Sequence, residues 1–226
     1  MARTTTRAGT RAGTQPASGG RPAWTVAVPG AAMIAVTFGL GRYGYGLLLP
    51  EMQADLAISP GAAGLIASGT YLSYLVANIG VVWVCSRFGT RTAIALAAAT
   101  AALGMAMMAA ATSWPVLAAG VLVAGAAAGL AFPPYADVVA RDLPEGQRDL
   151  AWSAISSGTG WGVAIAGPIA IAAGDRWRVA WIVFAAVAVG VGIVAVRRAP
   201  ARGSDRQLRR PQLSWTWFSA PSPAPC

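Results

Sequence analysis

Arg42 is the residue of this sequence that is best placed to do chemistry. It lies among the glycines and tyrosines of residues 39–46, well inside the first long apolar run. A charge at membrane depth is costly unless it faces a wet cavity or a partner, so such an arginine indicates a functional site. The structural alternative is a guanidinium that reaches the lipid headgroups from a helix that ends at Pro50. We favour the functional interpretation.

Asp137 is the second ionisable residue inside an apolar run. It precedes the end of the fourth run by about one helical turn, and Arg141 follows it four residues later. Residues four apart lie on one face of a helix, so the two charges can neutralise each other. We favour this ion pair over the alternative, in which Asp137 carries protons.

Two later apolar runs combine glycine with proline, and the fifth run adds serine and threonine side chains. A G-x-x-x-G pattern, which permits close helix packing, occurs at residues 125–129 and again at residues 158–162. Pro133 and Pro134 are expected to kink the fourth run. The fifth run, with its serines and Gly167-Pro168, could line an aqueous path or hold helices together by hydrogen bonds, and both interpretations stay open.

Missing residue types exclude several classes of enzyme. The chain has no His, which removes Ser-His catalysis, HExxH zinc chemistry and haem ligation. Its two cysteines, Cys85 and Cys226, are too few for a disulfide framework or a metal cluster. We therefore predict no catalytic residue, no metal and no cofactor.

Hydrophobic helices must position these residues. The 226 residues are 56% hydrophobic and only 11% charged, which is too little charge for a soluble surface. Apolar runs of about 20 residues, long enough to cross a bilayer as helices, recur between short turn signals. We predict an all-α, polytopic membrane protein with six transmembrane helices, at residues 24–49, 61–84, 93–112, 115–140, 151–174 and 179–196.

The arginines predict the orientation of these spans. Of the 17 basic residues, fourteen fall on one side of the predicted spans, and only Arg176 and Arg178 fall on the other. Positive charge favours the cytoplasmic side, so both termini are expected in the cytoplasm. Nucleic-acid binding is not expected, because no basic face alternates with aromatic side chains.

Both ends of the chain are predicted to lie outside the helical bundle. Residues 1–22 are rich in Arg, Thr and Gly and are expected to form a disordered cytoplasmic tail. Residues 199–226 begin as a basic segment and end in a proline-rich stretch, so a second cytoplasmic tail is expected. This second tail is either a true C-terminus or a truncated or frameshifted remnant, and we favour the remnant.

Motifs at five places, residues 41–50, 67–75, 82–91, 158–168 and 175–184, resemble those of one group of transporters, the major facilitator superfamily. Residues 82–91 are similar to its G-x-x-x-D-R-x-G-R-[RK] loop, in which Arg87, Gly89 and Arg91 match and Ser86 replaces the Asp. Residues 158–168 resemble the G-x₈-G-P pattern of its antiporters, and residues 175–184 resemble the W-R-x-x-F/W opening of its sixth helix. Residues 41–50 and 67–75 look like its YbfB/YjiJ-type branch.

The resemblance covers roughly residues 24–198 and implies one six-helix half of a major facilitator fold. It implies a secondary active transporter of a small solute, coupled to protons, in the plasma membrane of a bacterium. Its partners would be the lipid bilayer, an unidentified small molecule and a second six-helix half or a second copy. The substrate- or ion-binding residues would be Arg42, Tyr45, Tyr71 and Tyr135; the gating or structural residues would be Arg87, Gly89, Arg91, Asp137, Arg141, Gly158, Gly167 and Pro168.

Three functions therefore compete. The chain could transport by pairing with itself or with a second half. It could be a truncated fragment that does not transport, or a membrane protein that regulates a partner through its exposed faces. A membrane enzyme is the least favoured class, because Arg42 and Asp137 are the ionisable groups of the predicted spans.

Overall fold

The computed structural model describes residues 22–199, and that range is helical with short turns. The range holds six helices that are long and apolar enough to cross a membrane, and no strand. The prediction of an all-α protein with six membrane-spanning helices is confirmed. The two predicted tails lie almost wholly outside the described residues. The helices are α1 (Trp24–Leu56), α2 (Pro60–Phe88), α3 (Thr90–Ala109), α4 (Trp114–Asp142), α5 (Glu145–Ala173) and α6 (Trp177–Arg198).

Local features of the sequence explain where α2 begins and where the chain turns from α2 into α3. The Ser59 hydroxyl accepts a hydrogen bond from the Ala62 N–H at 3.2 Å, and Pro60 occupies the first turn of α2, where its missing N–H costs nothing. Gly89 separates α2 from α3 with φ of 84°, a conformation that favours glycine. Each turn is short, so consecutive helices run antiparallel.

The first helix is longer than the sequence predicts. The expected span ends at Leu49, before Pro50, whereas α1 continues to Leu56. Leu48 and Met52, one turn apart, are both fully buried. This packing outweighs the hydrogen bond that the proline removes. The fourth helix likewise runs unbroken through Pro133 and Pro134.

The six helices differ in how much of their surface the bundle covers. In the most apolar segment of each, 67% of α1 is buried inside the protein, against 17% of α2 and 28% of α5. Helix α1 contacts α4, α5 and α6, while α3 packs between α4 and α6. Helix α1 is therefore the central element, and α2 and α5 expose most of their apolar surface.

Glycine brings α1 and α5 into backbone contact. A Cβ atom added to Gly158 would overlap the carbonyl oxygen of Ala31, and one added to Gly162 would overlap that of Ala35. Gly39 of α1 faces the Cα of Gly162 in the same way. The close packing that the second G-x-x-x-G pattern predicts is confirmed, and it fixes α1 just before Arg42.

Candidate functional site

Arg42 lies near the middle of α1, at a local change in the helix. Residues Ala35–Tyr43 form a π-helical stretch between two α-helical segments. Such stretches are rare, and they occur frequently at functional sites. The wider turn contains Arg42, whose side chain is half-buried. Arg42 is the nineteenth of the 33 residues of α1, so about half of the helix lies on either side of it.

Three aromatic rings surround the Arg42 guanidinium. Its central carbon, Cζ, lies 4.3 Å from the ring centre of Tyr71, 5.0 Å from that of Tyr74 and 5.9 Å from that of Phe38. All three distances fall within about 6 Å, the range of cation–π attraction. Tyr71 and Tyr74 are three residues apart and share a face of α2, while Phe38 precedes Arg42 by about one turn. We call Phe38, Tyr71 and Tyr74 the aromatic box.

Further contacts hold the aromatic box in place. The Asn78 amide donates a hydrogen bond to the Tyr74 hydroxyl at 3.2 Å. The Phe38 ring meets the Tyr74 ring edge-on at 5.9 Å and the Phe132 ring edge-on at 4.9 Å. Phe132 in turn meets Trp152 of α5 at 5.6 Å. The row of rings thus links all four helices around the site, α1, α2, α4 and α5.

The first G-x-x-x-G pattern positions the aromatic box. A Cβ atom added to Gly129 would overlap the Tyr74 carbonyl oxygen, and one added to Gly125 would lie 2.9 Å from the Ser73 hydroxyl oxygen. Helix α4 can approach α2 this closely only because both positions lack a side chain. The two glycines therefore set the rotation of α2 that points Tyr74 towards Arg42.

The positive charge of Arg42 is not neutralised by residues 22–199. Arg42 forms neither an ion pair nor a side-chain hydrogen bond there, whereas Arg141, Arg148 and Arg178 are among the arginines that do form ion pairs. Its contacts are the faces of the rings, which leave the N–H donors free. A guanidinium with free donors can bind a carboxylate or phosphate through two parallel hydrogen bonds.

The other two predicted binding tyrosines lie elsewhere. Tyr45 is 5% exposed, and its hydroxyl donates to the Ala63 carbonyl oxygen at 3.5 Å, between α1 and α2. Tyr135 is buried, and its hydroxyl donates to the Pro29 carbonyl oxygen at 3.4 Å. The structure thus brings together Arg42 and Tyr71 of the predicted set and places Tyr45 and Tyr135 in the packed core.

Comparison with known families decides the class of protein. Residues 31–224 match the family model of the Major Facilitator Superfamily. The chain belongs to the major facilitator superfamily. This confirms the superfamily that its motifs resemble and makes the chain a multi-pass membrane protein of a transporter family. A search of curated proteins found no match.

The superfamily loop between the second and third helices meets α4 at Asp137. The Thr90 hydroxyl donates to the Asp137 carboxylate at 3.4 Å, and Arg141 lies 3.6 Å from the same oxygen. The predicted ion pair between Asp137 and Arg141 is confirmed. Ser86, which replaces the loop's Asp, donates to the Trp83 carbonyl oxygen of its own helix at 2.8 Å. Arg87 and Arg91 are exposed at this end of the bundle.

The superfamily pattern in α5 divides into one packed residue and two that face outwards. Gly158 is pressed against α1, whereas a Cβ added to Gly167 would meet open space. Pro168 is exposed, and α5 continues past it to Ala173. Packing within the bundle therefore requires Gly158 but not Gly167.

A cluster at the opposite end of the bundle was missed by the sequence analysis. Arg178 donates to the Asp55 carboxylate at 2.6 Å and to the Ala111 carbonyl oxygen at 2.8 Å. The Trp177 indole N–H donates to the same carboxylate at 3.3 Å, and Arg178 stacks on its ring at 4.1 Å. The cluster ties the end of α1 to α6 and to the turn after α3. The Trp-Arg motif was visible in the sequence, but nothing local marked Asp55 as its partner.

Proposed function

We propose that the protein is a secondary active transporter of a small anionic solute, whose oxygen atoms bind the Arg42 guanidinium. The observation that carries the proposal is a half-buried guanidinium, enclosed by three rings, that no carboxylate of residues 22–199 neutralises. Members of the superfamily are transporters. A buried charge without a counter-ion is costly, and a bound anion would remove that cost.

The aromatic box supports selection of an anion at this depth. Apolar ring faces exclude water from one side of the guanidinium, which strengthens its attraction for a negative charge. The rings also hold the side chain in one direction, so less rotamer freedom is lost when the solute binds. Tyr71 is 65% exposed, so the site stays open on the side that α2 presents.

Transport by this mechanism needs a second six-helix bundle, and we propose that it packs against α2 and α5. Facilitators of this kind rock two halves about a site at the midplane of the membrane. Both helices expose most of their apolar surface, and Leu72, Val76 and Trp161 are each more than 60% exposed. The aromatic box lies beside the same face. The second bundle would therefore complete the wall of the site.

Gating and coupling follow from the charges at the helix ends. We propose that Asp137, held by Thr90 and Arg141, takes part in closing the arginine-rich end of the bundle, because Ser86 cannot replace the loop's carboxylate there.

Proton coupling is a proposal from the family resemblance. The carboxylates of residues 22–199 all lie within about two turns of a helix end, so a proton carrier at mid-membrane would be the solute itself or a group of the second bundle.

The finer assignments also belong to this proposal. The first-helix motif around Arg42 supports the YbfB/YjiJ-type branch of the superfamily. The arginine distribution supports a bacterial plasma membrane with both termini in the cytoplasm.

A regulatory membrane protein that does not transport is the second candidate. The broad apolar surface of α2 and α5 favours it, because such a surface can bind a partner's helices. The two functions differ in one respect: only the transporter requires a solute at Arg42.

The test is uptake by the purified protein in proteoliposomes. Vesicles with the protein are loaded with one unlabelled organic acid from a panel, and exchange for the labelled acid outside is measured against protein-free vesicles. Neutral amides of the same acids serve as matched solutes. Exchange of an acid but not of its amide supports the proposal. Exchange of acid and amide at the same rate contradicts anion recognition, and no exchange of any member favours the regulatory candidate.

A further inference from the structure

An apolar groove runs between α3 and α6 and opens at the outer surface of the bundle. Its volume is about 340 Å³. One wall is a set of alanines of α3, including Ala95 and Ala99, and the other is the face of α6 around Ile193. Among residues 22–199, Arg197 is the one charged residue that lines it. The groove is thus an apolar trough with a cation at one end.

The sequence explains why this groove exists. A Cβ atom added to Gly192 would stand 2.6 Å from the Cβ of Ala98, so α3 and α6 touch at this point. Beside the contact, the alanines of α3 recur every three or four residues and are too short to fill the space between the helices. The trough therefore lies along a line of small side chains instead of being closed by larger ones.

Two arginines stand at the same end of the trough. Arg197 lies in the last turn of α6, and Arg91 lies in the first turn of α3, one turn before Ala95 on the same face. Both side chains are exposed. Within residues 22–199, neither arginine forms an ion pair with a carboxylate. This end belongs to the side of the bundle that the arginine distribution predicts to be cytoplasmic.

We propose that the groove binds one anionic phospholipid, with an acyl chain against Ala99 and Ile193 and the phosphate on Arg197 and Arg91. The groove matches both parts of such a lipid: the apolar trough suits an acyl chain, and two guanidiniums that pair with no carboxylate of residues 22–199 suit the phosphate. A zwitterionic lipid such as phosphatidylcholine would bring a further cation close to the two arginines, and a soluble anion would leave the trough empty. The cytoplasmic leaflet supplies anionic lipids, which basic residues at the membrane surface attract. The site is separate from Arg42 and from the proposed solute.

Lipid titration of the purified protein tests this proposal. Native mass spectrometry measures binding of phosphatidylglycerol and of phosphatidylcholine with the same acyl chains. We expect a single phosphatidylglycerol adduct at the lowest concentrations. Arg197→Gln and Arg91→Gln should each weaken it about fivefold, while phosphatidylcholine binding stays unchanged. Ala99→Phe, which fills the trough, should weaken it as well.

Two controls separate this site from general attraction of lipid. Arg176→Gln removes an exposed arginine at the other end of the bundle, and Ala106→Phe enlarges an exposed alanine of α3 outside the groove. Neither should change the titration. Size-exclusion chromatography confirms that each variant is folded, and the charge and groove variants are independent of each other. Equal binding of both lipids, full binding by Ala99→Phe, or an equal loss in Arg176→Gln would overturn the proposal.

Discussion

The guanidinium carbon of Arg42 lies 4.3 Å from the centre of the Tyr71 ring, while that ring is itself 65% exposed. The contact joins the centre of the most buried helix to the least buried one. Tyr71 therefore covers one side of the charge and at the same time borders the surface where a second bundle is proposed to pack. A solute bound at Arg42 would be positioned between the two bundles.

Removing the Tyr71 ring should weaken solute binding. Tyr71→Leu deletes a cation–π contact worth about 0.5–1 kcal/mol that orders the guanidinium before the solute binds. Because the freed side chain must then be ordered on binding, we expect an affinity about two- to fivefold lower for the acid that the exchange assay selects. Tyr71→Phe should bind like the parent protein, because the ring face and not the hydroxyl meets the guanidinium. Calorimetric titration measures both. Tyr43→Leu, at a neighbouring half-exposed tyrosine, is the control. A defect in Tyr71→Phe as large as that in Tyr71→Leu would contradict the cation–π role.

A single methyl group at Gly158 should destabilise the bundle. The added carbon of Gly158→Ala would overlap the Ala31 carbonyl oxygen, so α1 and α5 must move apart, at a cost of about 1–3 kcal/mol. We expect a lower midpoint of thermal unfolding in detergent. Gly160→Ala is the matched control, because the same carbon there meets open space. Equal midpoints for the two variants would show that α1 and α5 do not touch at Gly158.

The cluster at Asp55 should contribute a modest, salt-sensitive stabilisation. The Asp55 carboxylate and the Arg178 side chain are 47% and 38% exposed, so the pair is screened by solvent and is worth about 1 kcal/mol at most. Asp55→Asn and Arg178→Gln should each lower the free energy of unfolding, and the double variant should lose less than the sum. Arg176→Gln, an exposed neighbour in sequence, should change nothing. Strict additivity of the two single variants would contradict the pairing.

The exposed face of α2 around Val76 should be less accessible to lipid than the exposed face of α3 around Leu103. Val76 and Leu103 are 62% and 58% exposed in the bundle and lie at similar distances along their helices from the turn at Gly89. A nitroxide label at Val76 should nevertheless collide less often with oxygen dissolved in the membrane, because a second bundle is proposed to cover α2. Electron paramagnetic resonance measures the collision rate in vesicles. Equal rates at the two positions would contradict a second bundle on α2.

Hydropathy and charge predicted the number of helices because a bilayer constrains every span in the same way. Each span must satisfy its own backbone and hide its polar groups, and both requirements are local in sequence. Helix α1 continues beyond the predicted span, since Pro50 is a local signal and the packing of Leu48 and Met52 is not. The π-helical stretch around Arg42 was not predicted either, because it gives no periodic signal of its own.

The site was predicted only in part for the same reason. Arg42 was visible as a charge within an apolar run, and Tyr71 came from the family resemblance. Tyr74 and Phe38, which also contact Arg42, were not among the predicted residues. Phe38 precedes Arg42 by four residues and could have been found from helix periodicity. Tyr74 depends on the rotation of α2, which Gly129 of α4 sets, and a contact between distant helices cannot be read from either segment alone.

The most direct test of this account compares Arg42→Gln and Arg42→Lys with Arg176→Gln in the exchange assay. Arg42→Gln should lose exchange of the selected acid, because it removes the charge that the aromatic box surrounds. Arg42→Lys should retain only part of the exchange, since an ammonium cannot form two parallel hydrogen bonds. Arg176→Gln should exchange like the parent protein. Full exchange of the acid by a folded Arg42→Gln variant would contradict the central claim.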